Sequence, residues 1–292
     1  MRTFKIDENA LGFIFSMSAW GNRKKADKFK IETQAQKRMI SVSKRLLESD
    51  GYHRIHSHMR YTKRWIMARS VPSFFKDGFY LFRKDFVEEV ETYLRQRKEE
   101  LQVLVEEFLT AYPSHIQRAQ ELLGDQFKES DYPSSSYLRT AFGISHQWVS
   151  FDIPQGLPAD IYKQEKEKAE RVWADAAEQI AMSLRESFKG LVAHAVEKLQ
   201  ADVGGKKKVF RDSTITNIVE FIDTFKTRNL TNDEELEALL IKARKIVEDV
   251  DPDELRSDDR LASIVRRQFK KIEKELDGII VQKPGRKFDF EE

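Results

Sequence analysis

The histidines at positions 53, 56 and 58 form the densest cluster of candidate metal ligands in this sequence. If this stretch is helical, His53 and His56 lie near one another and His58 turns away from them. Neighbouring arginines and lysines would also repel a bound cation. The pattern therefore favours a solvated or phosphate-facing basic surface over a metal centre.

A second candidate metal site is the run Asp249, Asp251 and Asp253, which resembles the start of a calcium loop. The loop is incomplete, because Glu254 stands where the turn needs glycine and Arg260 stands where a bidentate glutamate belongs. Asp251 precedes Pro252, which predicts a helix N-cap followed by proline in the first helical position. We expect no calcium here.

Catalytic motifs are missing from the sequence. It has no Walker loop, nucleophile elbow or zinc-protease helix motif. The absence of cysteine excludes disulfides, cysteine-ligated zinc and a thiol nucleophile, and it favours a reducing compartment. We predict a cytoplasmic, non-catalytic protein without a cofactor. Carboxylates from distant positions could still meet in space, so an enzyme stays an open alternative.

The sharpest chemical signal is charge. Residues 21–69 hold fourteen lysines and arginines against four acidic residues, a net charge of +10, while the chain from residue 70 onward carries −8. Tyr52, Tyr61 and Trp65 lie in the same segment as candidate stacking surfaces. We predict that phosphates would be contacted by Arg23, Lys24, Lys25, Lys28, Lys30, Lys37, Arg38, Lys44, Arg45, Arg60, Lys63 and Arg64. The alternative is that the two charged regions satisfy each other, within the chain or by head-to-tail assembly.

The elements that must position these residues are mostly helices. With 34% charged and 40% hydrophobic residues, the composition is typical of long helices that each bury one stripe. We predict a mainly α, elongated multi-helix bundle with a small β element near the N-terminus and around 148–153. The β element comes from alternating apolar residues over 11–19 and at Val149, Phe151 and Ile153, which we expect to pair.

Apolar spacing predicts a helix from Thr33 to about Leu46, with Lys37, Arg38, Lys44 and Arg45 on its outer side. A second basic helix is predicted over about 54–70. Residues 71–83 indicate a turn between short extended pieces. After Asp85 a coiled-coil-like seam runs over 87–108, and we expect Pro113 to end that helix.

The domain organisation follows from one long helix and one glycine pair. Residues 158–200 predict a helix of roughly 60 Å. Gly204 and Gly205 mark the predicted boundary between an N-terminal helical domain over 1–203 and a C-terminal three-helix region over 204–281. A mobile tail is expected over 282–292. The apolar run over 11–17 is too short to span a membrane, and acidic Asp7 and Glu8 precede it.

Five stretches carry a family resemblance: KDGFYLFRKDFVEEV at 76–90, EEFLTAYP at 106–113, LLGDQFKESDYPS at 122–134, FRDSTITNIVEFIDTFKTRNLTNDEEL at 210–236, and DVDPDELRSDDRL at 249–261. Together they resemble an uncharacterised helical domain family carried by phages and conjugative elements, over roughly residues 30–277. Its members are often encoded beside an AAA+ ATPase related to MoxR and to the cobaltochelatase motor subunit. The resemblance implies a mobile-element context and an ATPase partner, and it supplies no catalytic residues.

Two functions remain at this stage. The first is a non-catalytic adaptor or scaffold of a phage or mobile element that assembles with itself or with an AAA+ ATPase. The alternative is a nucleic-acid-binding accessory protein without sequence preference, acting through residues 21–69. Neither needs a membrane.

Overall fold

A computed structural model describes residues 9–72, 78–153, 155–200, 210–248 and 250–280 of the chain. It divides into two compact units, each with its own contacts. The N-terminal unit comprises Gly12–Leu81 and Asp85–Val149, and the C-terminal unit comprises the residues from Ser150 onward together with the short pieces Met1–Leu11 and Phe82–Lys84. The predicted mainly α fold with a small sheet is confirmed.

The elements follow in chain order. The strands are β1 (Ala10–Ser18), β2 (Arg23–Lys25), β3 (Ser43–Arg45), β4 (Val71–Pro72), β5 (Phe79–Arg83) and β6 (Gly143–Val149). The helices are α1 (Asp50–Arg69), α2 (Val87–Leu123), α3 (Ser135–Ala141), α4 (Ala159–Lys198), α5 (Asp212–Arg228), α6 (Glu234–Glu248), α7 (Pro252–Ser257) and α8 (Asp259–Ile279). No helix among the described residues is long and apolar enough to cross a membrane.

The core of the N-terminal unit lies between α1 and α2. The seam predicted over 87–108 supplies the α2 side, with Leu94 and Phe108 fully buried. Arg97, which interrupts the seam, donates from Nη2 to the carbonyl oxygen of His58 on α1 at 3.1 Å and from Nε to Oγ1 of Thr62 at 3.1 Å. Arg97 therefore links the two helices by hydrogen bonds, and the apolar residues of the seam belong to the core of the unit.

Helix α2 does not end at Pro113, contrary to the prediction, and continues to Leu123. Proline removes one backbone donor at a cost of about 3 kcal/mol in a helix interior. Pro113 is exposed, while Tyr112 before it and Ala119 after it are buried. The buried residues on both sides fix the helix axis, so packing outweighs the lost hydrogen bond.

The predicted helix from Thr33 to Leu46 is wrong. The segment forms only a short 3₁₀ turn at Lys37–Met39 and then strand β3, which pairs antiparallel with β2. Most of the expected apolar stripe is not used, since Ala35 is exposed and Met39 is 78% exposed. Pairing with β2 satisfies the backbone here, and that partner is not visible in helical periodicity.

A four-stranded sheet with the order β4-β5-β1-β6 completes the β structure. Strands β1 and β6 pair antiparallel over Gly12–Ser18 and Gly143–Val149, which confirms the predicted partnership in part. The second strand ends at Val149, earlier than predicted, and Phe151 packs its ring against Trp173 at 4.6 Å instead.

In the C-terminal unit, α4 packs against α5 and α8, and α8 packs against α6. The predicted long helix and the three following helices are confirmed, with the short α7 added. Arg185 on α4 forms a bidentate ion pair with Asp233 at 2.7 and 2.8 Å, before the start of α6. Its contacts place α4 in the same unit as these helices, whereas the sequence predicted that it belongs to the N-terminal domain over 1–203. Residues 204–205 and 282–292, the predicted boundary and tail, lie outside the described residues.

Candidate nucleic-acid interface

Strands β2 and β3 form a two-stranded ribbon in which basic residues lie opposite one another. Arg23 pairs with Arg45, Lys24 with Lys44, and Lys25 with Ser43. Because side chains alternate along a strand, directly paired residues share a face. Arg23, Lys25 and Arg45 are all exposed, and we call this side the outer face of the ribbon.

The inner face of the ribbon packs on the body of the N-terminal unit. Asn22, Ala26, Lys44 and Leu46 are buried. The side-chain amide of Asn22 forms two hydrogen bonds with the backbone of Leu47. Its Nδ2 donates to the carbonyl oxygen at 2.8 Å, and its Oδ1 accepts from the N–H at 2.7 Å. These contacts fix the inner face against the body of the unit, so the outer face points to solvent.

The tyrosine at position 52 secures the same end of the ribbon. Its hydroxyl donates to the carbonyl oxygen of Trp20 at 3.0 Å and accepts from the backbone N–H of Asn22 at 3.2 Å. Burial raises the pKa of Tyr52, and the hydrogen bond from Asn22 offsets only part of that effect. The phenol therefore keeps the proton it donates. Tyr52 is a structural anchor, not the stacking surface that the sequence indicated.

Lys44 does not face solvent, which corrects its place among the predicted phosphate contacts. Its side chain is 5% exposed and lies 2.7 Å from Oδ2 of Asp131, and its ammonium also donates to the carbonyl oxygen of Gln126. Lys30 is held too, by the carbonyl oxygen of Asp125 at 2.7 Å. These two cations fix the ribbon and its loop to the segment after α2.

The loop between β2 and β3 carries an exposed aromatic ring among lysines. Phe29 is 73% exposed. The ammonium groups of Lys28 and Lys37 lie 5.8 and 5.7 Å from its ring centroid, and Lys37 donates to the carbonyl oxygen of Phe29 at 2.9 Å. An exposed ring flanked by cations is the arrangement on which unpaired bases stack. The sequence contained this signal, an aromatic residue inside the basic run, but Phe29 was not predicted.

The remaining predicted contacts lie on β2, in the loop and on α1. Lys24 of β2 is exposed although it pairs with the buried Lys44, and in the loop Nε of Arg38 donates to Oε1 of Gln36 at 3.0 Å. Arg60, Lys63 and Arg64 lie on the exposed side of α1, ten or more residues beyond its start at Asp50. At 1.5 Å per residue this is about 15 Å along the helix. The structure thus gathers the ribbon and loop cations, and it sets the α1 cations apart from them.

The three histidines do not converge. His53 is exposed, and Nε2 of His58 lies 2.8 Å from the carbonyl oxygen of Arg97, to which it donates. Burial lowers the pKa of His56 and of His58, so both rings favour the neutral form. In the described part of the chain, no three histidine, aspartate or glutamate side chains are grouped to hold a metal ion. Asp251 caps α7 as predicted, and Asp249 lies outside the described residues.

One other polar cluster has a composition that could serve catalysis. Glu91 accepts hydrogen bonds from Nε2 of His146 at 2.8 Å and from Nε1 of Trp148 at 2.6 Å, while Nζ of Lys98 lies 3.2 Å from Nδ1 of His146. Partial burial raises the pKa of Glu91, but the two hydrogen bonds and the nearby cations outweigh it and lower the pKa overall. Both ring nitrogens of His146 have a partner, and the cluster ties α2 to β6.

No known protein family, curated protein or solved structure matches this chain.

Proposed function

We propose that this protein binds nucleic acid without sequence preference, through the outer face of the ribbon and its loop. The observation that carries the proposal is the direct pairing of Arg23 with Arg45, beside Lys25, on an exposed surface. Like charges directly opposite one another on a sheet are destabilising. A bound polyanion relieves the repulsion between Arg23 and Arg45, because each phosphate neutralises part of their charge, and this relief favours binding.

The groups on this surface are suited to phosphates. Arginine donates two parallel hydrogen bonds to a phosphate, and lysine acts as a point charge. Along each strand, alternate residues such as Arg23 and Lys25 lie about 6.6 Å apart, so successive cations can follow an extended backbone. Phe29 adds a face for a base at the loop end of the ribbon. Neither phosphate contacts nor stacking on an aromatic ring distinguishes one base from another, so this surface should bind without sequence preference.

The test compares two matched triple variants in fluorescence-anisotropy titrations of a labelled single strand. Arg23→Gln/Lys25→Gln/Arg45→Gln removes three charges from the ribbon, and Arg60→Gln/Lys63→Gln/Arg64→Gln removes three from α1. Each phosphate contact contributes about fivefold in affinity at 0.1 M salt, so the ribbon variant should bind about 100-fold more weakly. The α1 variant should lose far less.

Two outcomes contradict the proposal. If the unaltered protein fails to bind DNA or RNA at low salt, there is no nucleic-acid interface. If the two variants weaken binding equally, the attraction comes from the overall charge of residues 21–69 and not from the ribbon. Circular dichroism of both variants checks that their helices are intact.

A second candidate function is the adaptor or scaffold role, with the protein itself or an AAA+ ATPase as partner. It is favoured by the first fourteen residues of α4, Ala159–Val172, which have no buried position and leave Ile161 and Tyr162 more than 40% exposed. An isolated helical segment gains stability by burying such residues. A strict monomer by light scattering at high concentration, with no ATPase recovered from the native host, would count against this role.

A further inference from the structure

The outer face of the ribbon also forms one wall of a cleft. This cleft lies between the ribbon and the last turns of α2 and has a volume of about 520 Å³. Arg23, Ser43 and Arg45 line it from the ribbon, together with the buried Lys44, Leu46 and Leu47, and Ala119, Leu122 and Leu123 line it from α2. Sites for small molecules typically measure about 300–1,000 Å³. The cleft is therefore large enough for one compact ligand and too small for a duplex.

The two walls differ in chemistry. The ribbon wall presents the guanidinium groups of Arg23 and Arg45 and the hydroxyl of Ser43. Lys44 lines the same wall, but its buried ammonium is paired with Asp131 at 2.7 Å. No ion pair to a carboxylate is found for Arg23 or Arg45 among the described residues. The α2 wall is apolar, and Leu122 is 52% exposed at its surface. A leucine left half exposed opposite two arginines indicates a ligand with an anionic part and a flat or apolar part.

We infer that this cleft receives one unpaired nucleotide of the bound strand, with its phosphate on Arg23 and Arg45 and its base against Leu122. The inference rests on the proposed function, since the phosphate is one of those that the ribbon binds. A nucleotide carries both required parts in one unit. A base within a duplex is stacked on both faces and paired at its edge, so only an unpaired base reaches the leucine wall.

Glu48 also lines the cleft and limits what enters it. Its carboxylate accepts hydrogen bonds from a sugar hydroxyl or an exocyclic amino group and repels a second phosphate. The cleft therefore takes one nucleotide and not a run of them. An acidic peptide would meet the same repulsion and would lack the planar apolar group.

The experiment separates the contribution of base contacts to the affinity from that of phosphate contacts. The dissociation constants of a 12-nucleotide single strand and of an abasic strand with the same phosphates are measured by anisotropy for the unaltered protein, for Leu122→Gln and for Val103→Gln. Val103 is the matched control, because it is 59% exposed on the same helix outside the cleft. Neither substitution changes the charge of the protein.

We expect the unaltered protein to bind the normal strand more tightly than the abasic strand. Leu122→Gln should reduce that preference by about fivefold, the low end of what a base gains against an aromatic ring, because leucine offers only apolar contact; Val103→Gln should leave it unchanged. Phe29→Ala should remove a further, separate part of the preference. The salt dependence of binding should be the same in all of these variants, because the phosphate contacts are intact.

The outcomes distinguish the two proposals. If neither strand binds at low salt, the proposed function itself fails. If both strands bind equally well, or if Leu122→Gln leaves the preference unchanged, phosphate binding stands and the nucleotide cleft is overturned. Tighter binding of an acidic peptide than of the single strand would also overturn it.

Discussion

Reversing the charge of one arginine in the ribbon should make the protein more stable while it weakens nucleic-acid binding. Arg23 and Arg45 are directly paired on an exposed face. Arg45→Glu turns a repulsive cross-strand pair into an attractive one. Cross-strand charge pairs contribute about 0.2–1 kcal/mol, so at low salt we expect the free energy of unfolding to rise by about 0.5–1 kcal/mol after solvent screening is allowed for.

Arg23→Glu should have the same effect, and the double variant Arg23→Glu/Arg45→Glu should lose the gain because the paired charges are again alike. Urea unfolding followed by tryptophan fluorescence is a suitable assay, since Trp20, Trp65 and Trp148 lie in the same unit as the ribbon. The midpoint should rise by about 0.3–0.5 M in each single variant. In 1 M salt, where the screening length is about 3 Å, the gain should vanish.

A lower midpoint in each single reversal, or a double variant that shows the sum of two stabilising effects, would contradict this prediction. Either result would mean that the two guanidinium groups do not repel one another in the free protein. Arg118→Glu provides a control with the opposite sign, because Arg118 is exposed and paired with Glu121 at 3.4 Å. It should lower stability slightly.

Three further predictions concern groups that hold the fold. Lys44→Met should lower the free energy of unfolding by about 3 kcal/mol, because it leaves Asp131 with little solvent and no cation, and Lys44→Met/Asp131→Leu should recover most of the loss in urea titrations. Burial depresses the pKa of His58, so the unfolded chain binds that proton more readily and stability should fall as pH decreases below about 6.5; His58→Gln should reduce that slope, and part of it should remain because burial lowers the pKa of His56 as well. Arg185→Ala leaves the buried carboxylate of Asp233, 3% exposed, without its cation, and should cost about 3–5 kcal/mol in the C-terminal unit, measured by urea unfolding followed by circular dichroism.

The parts of the fold that were predictable are those with long uninterrupted patterns. Helix α4 is predicted over 158–200 and observed over Ala159–Lys198, because no proline interrupts the segment and its helical apolar spacing is long, with buried positions from Trp173 onward. The N-cap at Asp251 was predictable because an aspartate before proline is a local signal. In both cases the information lies within the element itself.

The ribbon was not predictable because distant residues decide it. Residues 33–46 have helical spacing, yet Lys44 is held by Gln126, which is 82 positions away in the chain, and by Asp131. The charge count correctly identified a basic segment. A charge count does not distinguish buried from exposed cations, so it does not separate the buried Lys44 from the exposed Arg45. Orientation depends on the strand pairing, which no local pattern encodes.

The two classes of proposed partner rest on different features of the chain. The nucleic-acid proposal rests on the exposed pairing of Arg23 with Arg45. The mobile-element context and the ATPase partner rest only on the resemblance of five sequence stretches, and they stay predictions.

Salt dependence of single-strand binding by the unaltered protein measures directly whether the ribbon contacts phosphates. If Arg23, Lys25 and Arg45 each neutralise one phosphate, the logarithm of the affinity should fall with the logarithm of salt concentration with a slope of about −2 from these residues. The slope should drop by about that amount in the ribbon variant. Binding that is absent at low salt, or a slope that is unchanged when the three charges are removed, would show that Arg23, Lys25 and Arg45 do not bind nucleic-acid phosphates.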